Sequence, residues 1–159
     1  MTTKNTDLVA NFEASPQVAN NAAELAGVLR TAHGSVELAA GDSTDDDIVM
    51  LAPIPSNAAV PTLFIGSDTF GGSCTFNVGI YTSAGVVKDE DVFATSVADA
   101  AAMADVRYEA ADLNTGSQKL WELAGDTSDP GGYYYIAITF NATGGTAGTL
   151  NWNISYVVD

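Results

Sequence analysis

Cysteine, histidine and basic residues are scarce in this chain of 159 residues. It has one cysteine, one histidine, and five lysines and arginines against 20 acidic residues, a formal net charge of −15. A single cysteine, Cys74, excludes an intramolecular disulfide, so a hydrophobic core must hold the fold. One domain of this size buries roughly 70% of its unfolded surface, which is enough to do so.

The shortage of lysine and arginine restricts the partners. Nucleic-acid binding depends on basic side chains that neutralise phosphates, so we expect no nucleic-acid partner, and anionic membranes are disfavoured for the same reason. No apolar run reaches the length of a signal peptide or a membrane span, so we expect a protein made and kept in the cell, with no membrane partner. The negative field favours solubility and, equally, a cationic partner surface or cations.

Candidates for catalysis are correspondingly few. His33 lies in RTAHGSV beside a predicted strand break, and a zinc site there would have to use carboxylates alone. Ser35 and Asp42 follow it, but closeness in sequence does not establish the convergent geometry of a triad. We predict that the chain is not an enzyme and that His33 is a turn residue. A small hydrolase that uses His33 or paired carboxylates is the enzymatic alternative.

Acidic residues are concentrated in three clusters, at 42–47, 89–91 and 126–129. Calcium takes about six to eight oxygen ligands on a flexible loop. The first cluster, GDSTDDD, has the density of carboxylates but lacks the spacing of an EF-hand. We therefore expect solvated loops and no cofactor, with Ca²⁺ as the one ion that the clusters leave open.

Alternating apolar and polar residues predict β-strands along most of the chain. Over 74–81 and 150–159 every second residue is apolar, which indicates one buried and one wet face. Further strand patterns cover 28–38, broken near Gly34, and 47–52, 62–66, 86–95, 105–110 and 133–140. The apolar run at 47–52 predicts a central strand. The glycine-rich turn between 133–140 and 150–159 predicts a hairpin.

Helix signals are sparse. Thr115 and Gln118 form a capping box before LWEL, and Gly125 is a stop, which together predict one short helix. Residues 21–27 and 96–104 are further candidates for a helical turn. With about eight strands and no βαβ rhythm, the predicted fold class is all-β: an antiparallel two-sheet sandwich, jelly-roll-like. We divide it into an N-terminal arm, residues 1–27, and a β-sandwich domain, residues 28–159.

Several phrases, spread over nearly the whole chain, carry a resemblance to a known family. They are LVANFEASP, IVMLAPIPSNA, TFNVGIY, KDEDVFATS, KLWELAGDTSDPGG, YYYIAITF and YVVD. In this order they resemble the capsid decoration (cement) and head structural proteins of tailed double-stranded DNA bacteriophages. The resemblance implies a virion structural protein, assembled in the host cytoplasm, that binds the major capsid protein on the outer capsid surface and stabilises the shell. It also implies a homo-oligomer.

The expected interface residues lie in the arm and in one aromatic strand. An arm that grips the shell or a sister subunit would use Leu8, Val9 and Phe12. Tyr133 and Tyr135 flank Tyr134, so at least one of them faces outward, where an amphipathic ring suits a subunit interface; cross-strand packing is the alternative. The competing function is a carbohydrate- or receptor-binding β-sandwich module of a phage tail or fibre.

Overall fold

The computed structural model describes residues 5–21, 24–25, 27–110 and 112–158, a little under half of which form β-strands. The strands are β1 (Leu29–Leu38), β2 (Ile48–Pro55), β3 (Ala58–Ser67), β4 (Thr75–Tyr81), β5 (Val87–Ala98), β6 (Ala104–Asp105), β7 (Tyr133–Phe140) and β8 (Gly148–Val158). The helices are α1 (Asp7–Glu13) and α2 (Leu120–Leu123), and a 3-10 turn covers Leu113–Thr115.

The strands form two four-stranded antiparallel sheets. One has the order β1-β8-β3-β6, here called the β8 sheet, and the other has the order β2-β7-β4-β5, here called the β7 sheet. Apart from β4 and β5, consecutive strands lie in opposite sheets, so the chain repeatedly crosses from one layer to the other. This arrangement of eight strands in two sheets is a jelly roll. The predicted fold class is therefore confirmed.

The core lies between the two sheets and is built from the alternating apolar faces. From the β7 sheet it takes Phe76, Val78, Ile80, Tyr134, Ile136, Ile138 and Phe140, and from the β8 sheet Leu63, Ile65, Leu150 and Ile154. The rings of Phe70 and Phe76 pack edge-on against Phe140, with centroids 5.5 and 6.1 Å away. Such aromatic contacts stabilise the core beyond the burial of area alone.

β4 is buried on both faces, although its alternation predicted a wet one. Asn77, Gly79 and Tyr81, on the face away from the core, are all buried. The cause is an irregularity in the pairing of β5 with β4. Ala94 pairs with Val78 and Asp89 with Ile80, so a step of two residues in β4 corresponds to five residues in β5. The extra residues of β5 fold over β4. They lie so close to Gly79 that a Cβ added there would overlap the backbone of Asp89 and Glu90.

Two strands occupy other places than predicted. β7 and β8 do not form a hairpin: β7 pairs with β2 and β4, whereas β8 pairs with β1 and β3. The glycine-rich loop between them spans the two layers instead of reversing within one. β2 is an edge strand, not a central one. An edge position suits it, because Pro53 and Pro55 cannot donate to a second neighbour.

β1 runs without a break through Gly34, contrary to prediction. Gly34 pairs with Trp152 of β8, and a Cβ added there would come within 2.8 Å of the indole ring. Glycine at this position thus makes room for a large side chain in the neighbouring strand. His33 consequently lies in mid-strand opposite Asn153, so its assignment to a turn was wrong.

The predictions of helices agree with the structure less closely than the predictions of strands. Residues 96–104 form no helical turn, since β5 continues to Ala98 and β6 follows. The helix predicted at 115–125 is the single turn α2, capped by the Glu122 carboxylate, which accepts a hydrogen bond from Lys119 N–H at 2.7 Å. The candidate at 21–27 lies partly outside the described residues; within them, Glu24 and Leu25 N–H donate to Asn21 O. The longer helix is α1, in the arm.

Candidate interaction surface

Three of the predicted interface residues lie on α1. Val9 and Phe12 are 42% and 66% exposed, Leu8 is half-buried, and no residue of the helix is buried. Residues three and four positions apart share one side of a helix, so Phe12 lies beside both Leu8 and Val9. The helix therefore carries a short apolar stripe that is open to solvent.

Polar contacts hold the shape of the arm. Asn11 Nδ2 donates to Asn20 Oδ1 at 2.9 Å, and Asn20 Nδ2 donates to Leu8 O at 3.2 Å. Val18 N–H donates to Asn11 O at 3.1 Å. These bonds fold the segment after α1 back along the helix. An isolated helix below about 12–15 residues is marginal in water, so these contacts supply order that burial does not.

The two remaining predicted residues, Tyr133 and Tyr135, both point away from the core. Tyr135 pairs with Pro53 of β2 and with Tyr81 of β4, and Tyr81 pairs with Val87 of β5. Paired residues of antiparallel strands share a face, so these four side chains form one row across the β7 sheet. At about 4.8 Å between strands the row is about 14 Å wide. The interface role of the tyrosines stays a prediction.

Further apolar side chains extend this row along β2 and β7. Tyr133 is 63% exposed and lies opposite Pro55, while Met50 and Ile48 lie opposite Ala137 and Thr139 and are exposed. The outer apolar face, as we call it, consists of Ile48, Met50, Pro53, Val87, Tyr133 and Tyr135. Only its tyrosines were anticipated from the sequence. The other residues were missed because the apolar run at 47–52 does not alternate, so only the pairing of β2 with β7 shows which side of the sheet each side chain takes.

A polar cluster closes the half of this sheet that lies over β4. Asn77 Oδ1 accepts hydrogen bonds from Ser96 N–H at 2.9 Å and from Asn141 Nδ2 at 2.7 Å, and Asn77 Nδ2 donates to Glu90 Oε1 at 3.3 Å. The hydroxyls of Tyr81 and Thr139 bond each other. Burial raises the pKa of Tyr81, and Glu90 and Asp89 raise it further. The open part of the sheet is thus the half formed by β2 and β7.

The outer face of the β8 sheet differs in chemistry. His33, Asn151, Asn153 and Ser35 lie on it, all exposed. At one end is a groove of about 340 Å³ lined by Gly66, Ser67, Asp68, Ala101, Met103, Thr149 and Asn151. The Asp68 carboxylate accepts a hydrogen bond from Thr149 N–H at 3.0 Å. This face is polar where that of the β7 sheet is apolar.

Carboxylates of the acidic cluster at 42–47 accept hydrogen bonds from backbone N–H groups of their own loop. Asp42 accepts a hydrogen bond from Ala39 N–H, and Asp47 from Thr44 N–H, each at 2.8 Å. The Thr44 hydroxyl, and next its N–H, lower the pKa of Asp47. Within the described ranges no three His, Cys, Asp or Glu residues are grouped to hold a metal ion. The expectation of no cofactor, with Ca²⁺ left open, stays a prediction.

Comparisons with known proteins gave a structural likeness. No family model matches the chain, and no curated protein matches it. The structure is similar to a chain described as "Cyanophage Pam1 capsid asymmetric unit", with 15% identity, a TM-score of 0.44, and 84% of this chain and 86% of that chain covered. No helix in the described part of the chain is long and apolar enough to cross a membrane.

Proposed function

We propose that this protein is a structural component of a phage virion that binds the outer surface of the capsid as a decoration protein. The observation that carries the proposal is α1, a helix that exposes Phe12 and Val9 and buries none of its residues. A short helix with an open apolar stripe gains most of its stability when a partner covers that stripe. The arm is therefore the segment that binds the shell, and the major capsid protein is its partner.

The sandwich supplies a rigid body for such a role. Its core lies between the two sheets and contains none of the arm residues that the structure describes. Binding across the seams of a capsid lattice would bury surface on both sides, so that parting the capsid subunits would also require breaking these contacts. Many copies on one shell, or an oligomer with several arms, would strengthen binding by avidity without new contacts. No catalytic step is part of this function.

Deletion of the arm tests the proposal. We expect a chain lacking residues 1–27 to lose co-sedimentation with capsid shells of the phage that encodes it, while circular dichroism shows an intact sandwich. Phe12→Ser should weaken binding at least about ten-fold, because it leaves one large side chain fewer to bury. Ala10→Ser, at an exposed position of the same helix, is the matched control. Wild-type binding by the deletion variant would contradict the proposal.

A carbohydrate- or receptor-binding module is the second candidate function. The polar outer face of the β8 sheet and its groove favour it, because sugar hydroxyls need polar partners such as Asn151 and Asp68. A glycan array separates the two functions. A decoration protein should bind no glycan selectively, whereas a module of this kind should bind one class and lose it in Asn151→Ala.

A further inference from the structure

We propose that the outer apolar face of the β7 sheet is a second docking surface, and that its occupant is a basic surface of the capsid protein that also presents apolar side chains. This inference rests on the proposed function and deepens it, since it names the chemistry of the partner and a contact separate from the arm.

The apolar character of the face comes from four exposed side chains. Ile48, Met50, Val87 and Tyr133 are each between 36% and 63% exposed. The pairings of β2 with β7 and of β5 with β4 turn all four to the same side of the sheet. A contiguous apolar patch bordered by polar groups is typical of an interaction site, in contrast to scattered single residues.

Carboxylates border this face on three sides. Asp45 and Asp46 lie three and two residues before Ile48, and Asp46 N–H donates to Phe140 O at the end of β7. At the opposite end Asp129 accepts a hydrogen bond at 2.6 Å from Ser56, the residue after Pro55. Glu90 lies over Gly79 on the third side. All four carboxylate residues are exposed.

Most basic side chains of the described ranges lie away from this border. Arg30 is in β1, and Arg107 is buried and donates to Val60 O, so both belong to the side of the β8 sheet. Lys119 bridges to β3 and is close enough to Asp129 for their charges to interact, so the Asp129 end of the border is partly neutralised. Lys88 pairs with Asp126 at 2.8 Å, below the core-facing ring of Tyr134. The face is thus apolar at its centre and negative at its border.

Charge complementarity selects the occupant. Two copies of this chain docked through this face would bring carboxylates of the same border together, which is repulsive. A partner with lysines or arginines around an apolar centre would instead meet opposite charge, and its desolvated centre would hold Tyr133, a residue type common among binding hot spots. Net charge of −15 adds long-range attraction to such a partner.

The test uses the full chain, with emptied capsid shells of the phage that encodes it as the probe. In the double variant Met50→Ser and Tyr133→Ser, we expect affinity to fall about ten-fold or more. His33→Ser, an exposed strand position on the β8 sheet, should bind like wild type. The triple variant Asp45→Asn, Asp46→Asn and Glu90→Gln should lose most affinity at about 50 mM salt and little at about 500 mM, because salt already screens the border charges.

Three outcomes would overturn the inference, and they differ in what else they overturn. If the wild-type chain fails to bind shells, the proposed function falls with it. If the wild type binds and both face variants bind equally well at low salt, only the second docking surface is lost. If sedimentation velocity shows a wild-type oligomer that the Met50 and Tyr133 variant dissolves, the occupant is a second copy and not a basic partner.

Discussion

At the scale of single residues, Arg107 is the most unusual. It is fully buried, its Nε donates to Val60 O at 2.6 Å, and its Nη2 donates to Thr115 O at 3.0 Å. The guanidinium lies 4.9 and 4.8 Å from the rings of Phe93 and Tyr108. Burial lowers its pKa. Carbonyl oxygens and ring faces thus stabilise the charge and tie the loop after β6 to β3 and β5.

Replacing this side chain should weaken the fold. Arg107→Met removes the donors, so that the Val60 carbonyl loses its bond from Nε, whereas the Thr115 carbonyl keeps the bond from Gln118 N–H; we expect the free energy of unfolding to fall by about 1–3 kcal/mol. Arg30→Met, at an exposed position, should change it by less than about 0.5 kcal/mol. Urea unfolding of both variants measures the difference. A stability of Arg107→Met equal to that of wild type would show that the buried guanidinium stabilises nothing.

At the scale of elements, the fold of β5 over β4 decides which part of the β7 sheet faces solvent. Gly79 allows it, because any side chain there would occupy the space of the Asp89 and Glu90 backbone. The polar contacts of Asn77 then hold the two strands together. The outer apolar face is therefore formed by β2, by Tyr133 and Tyr135 of β7 and by Val87 of β5, and Glu90 is carried to its border.

A single methyl group should disturb this arrangement. Gly79→Ala must push β5 off β4, so we expect a loss of about 2–3 kcal/mol in the free energy of unfolding. Gly41→Ala is the matched control, since nothing lies within 4 Å of its added Cβ, and it should be nearly neutral. Denaturant unfolding compares the two. Equal stabilities would mean that β5 does not cover β4 in solution.

At the scale of the whole molecule, titratable groups bias stability toward neutral pH. Hydrogen bonds from Lys88 and Tyr134 lower the pKa of Asp126, and hydrogen bonds from Ser56 and Gly131 N–H lower that of Asp129. A carboxyl with a depressed pKa stabilises the fold at pH values above 3.8, its pKa in the unfolded chain. It loses this contribution as the pH falls through its pKa in the folded protein. Burial and the bond to Asp126 raise the pKa of Tyr134 to about 12.

The tyrosine gives the prediction for high pH. Because the pKa of Tyr134 rises from 10.0 to about 12 on folding, the contribution of Tyr134 to stability should be constant below about pH 10 and fall as pH increases through this window. Tyr134→Phe should remove that part of the decline and make the acid limb shallower, since Asp126 loses the hydrogen bond from Tyr134 and keeps only Lys88. Urea midpoints measured across both limbs provide the test. An unchanged alkaline limb in the variant would contradict the assignment.

Local pattern was enough to predict most of the strands, although the strand predicted at 105–110 was wrong, because β6 covers only Ala104–Asp105 and turns follow it. The bounds of β7 agree residue for residue with the predicted 133–140, β1 begins one residue later than predicted, and the inward faces of β7 and β8 are those that the alternation indicated. This follows because a period of two is a property of neighbouring residues alone. It also placed the rings of Tyr133 and Tyr135 outside the core.

The amino-acid sequence by itself therefore determined an antiparallel sandwich, its strand positions and its acidic, disulfide-free character. Only the tertiary structure decided that β7 and β8 lie in different sheets, that β2 is an edge, that β4 is covered on both faces and that Arg107 is buried. The physical reason is range. Alternation is encoded between adjacent residues, whereas the choice of neighbouring strand depends on how loops cross the two layers and on which side chains fill the space between them.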